Sequence, residues 1–384
     1  LLVGTSGTGT LDSADGNTGV GVGVFGALTS GDDNVAVGLN ALDVNTTGSK
    51  NVAIGKNALV NNTTGSCNTA VGEGALQTVT TSGCNTGIGR DALANNTGNS
   101  NTGVGYASMN STTSASDNTS IGFCSLNANT TGGANVALGT CALKSTTTAV
   151  HNTAVGKDAL EANTTGAENT AVGKDSLTAN TTGAQNTAVG HSALKTNTTC
   201  GNLTAVGYGA LCANTTGTND TAMGHASLDA NTSGSDNVAF GTNTLGANTS
   251  GGNNTAIGSC ALQANTTADN NTAVGLRALL ANTTGTQNVA IGSSALDANT
   301  SGGYSVAIGN GALGSQTTPD NNVAVGRIAG ANNTTGTRNT FVGGAYALGT
   351  GANNTTGSNN SFFGTDAGGQ TQQVQVIQQW DLVL

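Results

Sequence analysis

The chain has little of what an ordinary globular enzyme is built from. Of its 384 residues, one is proline, 3% are aromatic and 8% are charged. That composition argues against the two or three globular domains such a length would otherwise hold. Its 10 basic residues are spread thinly among 20 acidic ones, for a net charge of −10. Without a basic stripe, nucleic acid is not an expected partner. No apolar run approaches the roughly 18–20 residues that cross a bilayer, so no membrane span is expected within the chain. The chain opens on Leu1 without a charged and apolar leader, and it is expected to be a processed or partial product.

What fills the chain instead is glycine, 60 residues of it, with asparagine and threonine. Composition of that kind suggests low complexity or disorder. Against this, apolar residues still make up 36% and recur at fixed places. The repeating unit is N-[TV]-A-[VI]-G-x-x-A-L-x-x-N-T-T-G-x-x, 17 residues long, and it starts 21 times between Asn17 and Asn360. Two copies break step: the one from Asn85 is a residue short and the one from Asn339 is four residues long. A period near 20 residues means a solenoid in which each repeat is one turn. Strand formers come in short bursts between glycine and Asn-Thr-Thr-Gly corners, and nothing has the pattern of an amphipathic helix. The expected fold is therefore an all-β parallel β-solenoid, a β-roll or β-helix with 17-residue coils. Each coil should hold two or three short strands. At about 4.8 Å per stacked strand, some 20 coils would make a rod on the order of 100 Å long. The expected organisation is a first coil or cap over 1–16, the solenoid over 17–364, and a cap, stalk start or inter-subunit strand over 365–384.

Variation between copies sorts the columns of the repeat. The fourth position is always a larger apolar residue and the ninth nearly always leucine. These are expected to be the core ladders: Val155, Val172 and Val189, with Leu160, Leu177 and Leu194. The small third column is the expected contact with other copies of the chain. The sixth follows no rule, reading Lys157, Lys174, His191, Tyr208 and His225, and is expected to face solvent. Asparagines at the first and twelfth positions should stack into amide ladders. The Asn-Thr-Thr triplets match a glycosylation sequon but hold their register as corner residues, which favours a structural role.

Cys67 and Cys84 are 17 residues apart in one column, and so are Cys124 and Cys141 in another. One coil step of about 4.8 Å suits the Cα separation of a disulfide. Two vertical rungs in an oxidising, extracellular setting are therefore expected. Cys200 and Cys212 fall in different columns of adjacent coils, a weaker pairing, and Cys260 has no stacked mate. There is no CxxC, and no histidine stands near these pairs at ligand spacing, so no metal site is expected. His151, His191 and His225 do not converge. Asp158 and Asp175 stack beside Lys157 and Lys174 as a charge-balanced surface ladder, which is not an acid/base pair. Neither a catalytic site nor a cofactor is expected.

The N-[TSV]-A-[VI]-G core with its small-residue corner resembles the head repeats of trimeric autotransporter adhesins. It is also similar to repeats in bacteriophage tail fibres and appendages and in surface proteins of aquatic bacteria. The resemblance spans about residues 17–364. It implies a left-handed parallel β-roll, three chains about one axis with Val155, Val172 and Val189 in the β-sheet core, and a surface that binds host matrix or receptors. Three functions follow as expectations. The first is an extracellular fibre or adhesin on a cell or virion surface, a homotrimeric rod with a cell-surface receptor or glycan as partner. The second is a filament that polymerises head to tail, and the third is an ice-binding protein.

Overall fold

The computed structural model describes residues 2–3, 14–344 and 350–365. It is an all-β parallel solenoid with one turn per repeat, divided into two units, Leu1–Gly201 and Asn202–Leu384. The first unit holds strands β1 (Leu2–Val3) and β2 (Thr18–Val20) through β12 (Thr187–Val189). The second holds β13 (Thr204–Val206) through β22 (Ser361–Phe363). No helix occurs among the described residues. Except for β1, every strand has three residues, drawn from the second, third and fourth columns. Within each unit the strands pair in parallel: Ala171 faces Ala188 in the first, and Ala290 faces Ala307 in the second. Thr86 pairs with Thr102 across the short copy and Thr340 with Ser361 across the long one. Length changes are thus absorbed in the corners while the strands stay in register. β1 pairs with β2, placing Leu2 opposite Gly19. The rest of the expected cap over 1–16, up to residue 13, lies outside the described residues. So does the C-terminal segment beyond residue 365, with Trp380.

Each coil carries one strand where two or three were expected. In the coil from Asn152, three non-glycine residues sit in the left-handed region: Asp158 (φ 58°), Leu160 (φ 52°) and Glu168 (φ 60°). Each turns the chain before a second extended run can grow. The remaining backbone still bonds from coil to coil. Leu160 N–H donates to Ser176 O at 3.0 Å, and Ala162 N–H to Thr178 O at 3.1 Å. A left-handed leucine costs about 1–2 kcal/mol. Leu160 is fully buried, and burial of such a side chain contributes about 2 kcal/mol, enough to offset that cost. At the fifth position a glycine is required. Gly173 has φ 133°, and a Cβ there would lie 2.6 Å from the Gly190 carbonyl.

The core differs from the expected one. Ala154, Ala171 and Ala188 of the third column are fully buried, as are Leu160, Leu177 and Leu194 of the ninth. Val155, Val172 and Val189 are half-exposed on the outer side of the strand. Side chains alternate across a strand, so the middle residue of three faces inward and its neighbours face out. The third column is small because the interior has room only for alanine against leucine, and it cannot be a contact with other chains. Where the third column is large, its partner shrinks. Phe341 is buried and stacks on Phe362 at 5.3 Å, and a Cβ on Gly351 would overlap the Phe341 ring.

Two amide columns flank this core. Asn169 N–H donates to Asn152 Oδ1 at 3.0 Å, and Asn169 Nδ2 to Gly183 O at 2.9 Å. In the twelfth column, Asn180 Nδ2 donates to Asn163 Oδ1 at 3.0 Å and to Gly183 O at 2.9 Å. Asn180 is fully buried, so the sequon asparagine is a structural group and its amide is closed to a glycosylating enzyme.

Candidate functional site

Stacking in register turns every outward column into a row of side chains. Lys157, Lys174, His191, Tyr208 and His225 of the sixth column are all exposed. In the first unit Glu73 is 3.4 Å from Lys56 and 3.9 Å from Arg90. The Arg90 guanidinium lies 5.9 Å over the Tyr106 ring, which stacks on Phe123 at 5.5 Å. In the second unit Tyr208 stacks on His225 at 5.3 Å, with 10° between the ring planes. Lys157 bonds Asp158, and Lys174 bonds Asp175 at 3.1 Å. The Lys174 hydrogen bond holds the Asp175 carboxyl below its ordinary range. These are charge-balanced surface pairs, screened by solvent.

The cysteines correct an expectation. Cys67, Cys84, Cys124 and Cys141 are free thiols, the first pair exposed and the second half-buried. Stacked residues of like conformation project their Cβ atoms in parallel, whereas a disulfide needs them to converge. Sharing a column at one coil step is therefore not sufficient for a rung. Cys200 is buried in the first unit and Cys212 half-buried in the second.

Cys141 also belongs to a group that sequence reading missed. Its Sγ and the carboxylate oxygens of Asp158 and Glu161 lie within 4.8 Å of one another. The three come from adjacent coils, so no short motif announces them. Burial pushes the Cys141 thiol up, with Asp158 and Glu161 adding to the effect and Lys144 opposing it. Both carboxylates already have lysine partners, Asp158 with Lys157 and Glu161 with Lys144 at 3.7 Å. A protonated thiol beside two neutralised carboxylates is a poor cation site.

Two features stand out in the second unit. Asp220 occupies an asparagine position of the first column and is fully buried. Its Oδ1 accepts from Asn237 N–H at 2.8 Å and Asn237 Nδ2 at 3.1 Å, and its Oδ2 accepts from Asn231 Nδ2 at 3.1 Å. Burial pushes its pKa up to about 7 against the pull of the Asn237 bonds, and the Asp236 charge adds to the rise. The second feature is an open recess of about 290 Å³ lined by Asp229, Asn243, Gly246, Ala247 and Gln263. Burial raises the Asp229 carboxyl, while the backbone N–H groups of Asp229 and Ala230 and the charge of His225 lower it.

Each unit also presents an outer strand face. None of the 10 basic and 20 acidic residues falls in the second or fourth column. Those columns present Thr or Val beside Val or Ile in nearly every coil. Ile54 and Ile121 are 40% exposed in the first unit, and Phe240 is 53% exposed in the second. No protein-family model and no curated protein matches the chain.

Proposed function

We propose that the chain is a non-catalytic structural protein, an extracellular fibre or adhesin that assembles with copies of itself as a homotrimer at a cell or virion surface. The observation that carries this reading is the uncharged outer face of the second and fourth columns. A row of half-exposed valines and isoleucines without one charge is the kind of patch that proteins cover. Covering it would contribute about 1 kcal/mol per coil, and each unit repeats the coil many times. The contact therefore runs through the fourth column, not the third. Charges and rings on the sixth, seventh and tenth columns lie outside that contact and serve display.

Sedimentation velocity tests the reading. Wild-type protein should sediment as a discrete oligomer, and the Val172→Lys/Val189→Lys variant should shift toward monomer while keeping its β signature. A monodisperse wild-type monomer would sink the proposal. In electron micrographs, discrete rods support a closed oligomer, and indefinite threads would replace it with the head-to-tail filament.

One observation favours a second reading, ice binding. Thr170 and Val172 stand one coil below Thr187 and Val189 on the outer face, so that face is a regular Thr-x-Val array. The corner threonines do not supply it, because Thr164 Oγ1 donates to Thr181 O at 3.0 Å. Thermal hysteresis that disappears in Thr170→Lys/Thr187→Lys would favour ice binding, and its absence in wild type would remove that reading.

A further inference from the structure

We infer that the recess in the second unit is a binding site for a neutral hexose, free or at the end of a glycan. It exists because a side chain is missing. Asp229, Gly246 and Gln263 follow one another in the tenth column, and with no side chain at Gly246 the two flanking polar residues line one recess. Nothing in the backbone calls for glycine there. Gly246 is not left-handed, and the nearest atoms to a Cβ would be Asn243 O at 3.4 Å and Asp229 Oδ1 at 3.5 Å, ordinary contacts. Other coils carry Lys144 and Lys195 in the same column. Space, not conformation, is what the glycine provides.

The lining suits a polyol. The Asp229 carboxylate is held by backbone N–H groups of Asp229 and Ala230 and accepts hydrogen bonds. The amides of Asn243 and Gln263 each donate and accept, matching hydroxyls that do both. No cationic side chain lines the recess, so an anion would meet the carboxylate there. At about 290 Å³, the recess is at the small end of ligand sites, suited to one ring and not a chain. The lining residue Asn243 is tied by its backbone to the neighbouring coil, its N–H donating to His225 O at 3.0 Å. Gly314 provides the contrast. It also follows an aspartate, Asp297, in the tenth column, but Gly311 and Ala331 stand where the amides would be.

The inference deepens the display reading by naming a ligand class. It uses columns other than the assembly face, so the two can fail separately. The test is calorimetric titration of the full chain with the methyl glycosides of glucose, galactose and mannose. At least one should bind in the millimolar range. Gly246→Lys should weaken that binding by at least about tenfold with circular dichroism and sedimentation unchanged. Asp229→Asn should weaken it by a smaller factor, and Gly314→Lys should leave it as in wild type. Wild-type protein that binds none of the glycosides overturns the inference. So does a folded Gly246→Lys or Asp229→Asn variant that binds as wild type does, or a Gly314→Lys variant that loses binding equally.

Discussion

The two units share one coil but keep different amide columns whole. In the first unit, the first column is asparagine in every coil from Asn17 to Asn186, while the twelfth is interrupted by Leu28, Val79, Thr112 and Thr146. In the second unit, the twelfth column runs from Asn214 to Asn354 with one change, Gln316, and the first column gives way at Leu203, Asp220 and Ser305. The interruptions are settled differently. Ser305 Oγ accepts from Asn322 N–H only at 3.4 Å and Ser305 has no side-chain amide to donate, and Gln316 is one methylene longer than asparagine. Gln316 Nε2 donates to Ser305 Oγ at 3.0 Å, and Asn322 Nδ2 donates to Gln316 Oε1 at 3.0 Å. Val79 simply removes the polar group. Thr112 and Thr146 bury hydroxyls that have no partner among the described residues. The difference teaches that an amide column is a matter of matched donors and acceptors, not of residue type.

The largest effect belongs to what the units share. Gly173 and Gly292 have φ 133° and 134°, and a Cβ on either would lie 2.6 Å from the next coil's carbonyl carbon. Gly173→Val and Gly292→Val should each cost about 4 kcal/mol or more. Urea unfolding with hydrogen exchange in each unit should show equal losses, and unequal ones would mean that the coil backbone is not the same in both. The amide columns come next. Asn169 Oδ1 accepts the backbone N–H of Asn186 at 3.0 Å, so Asn169→Leu orphans a buried donor and should cost about 3 kcal/mol. Asn180→Leu in the twelfth column should cost less, about 1–2 kcal/mol, because Gly183 O keeps its bond from Asn169 and the orphaned group is an acceptor, Asn163 Oδ1, not a backbone donor. Equal costs would mean that the shared Gly183 carbonyl is not what lets the twelfth column take Leu28 and Val79.

The period and the parallel register were legible because one residue type is copied down each column. Which strand face points inward was not. Bulk suggested burial for Val155, Val172 and Val189, yet the interior is too thin for them and takes Ala154, Ala171 and Ala188. The strand count was not legible either, because leucine gives no sign of left-handed geometry, although Leu160 adopts it. The seventh column did carry such a sign, in Asp158 and Asp175. The recess is a side chain that is missing from a single coil, so it shows only when Asp229 and Gln263 are seen to flank Gly246. Asp220 could have been read as a charge in an amide column, but its burial could not.

Asp220 offers the finest test of the comparison, because its effect can be switched on and off by pH. Elsewhere in the first column an amide nitrogen donates to the carbonyl 14 residues on, as Asn237 Nδ2 does to Gly251 O at 3.0 Å. A carboxylate at 220 has no proton to give, and a carboxylic acid does. Folding raises this group from an ordinary 3.8 to about 7, so the folded chain binds the extra proton between those values. Its stabilising contribution is therefore complete below about pH 4 and is lost as pH rises through 7. The full loss is up to about 4 kcal/mol. Asp220→Asn should match wild type at pH 4, exceed it at pH 9, and flatten the pH dependence of hydrogen exchange around Asn231 and Asn237. The reverse change, Asn169→Asp, should import the same pH dependence into the first unit. A pH profile that Asp220→Asn leaves unaltered would show that the second unit's first column is settled by something other than a shared proton.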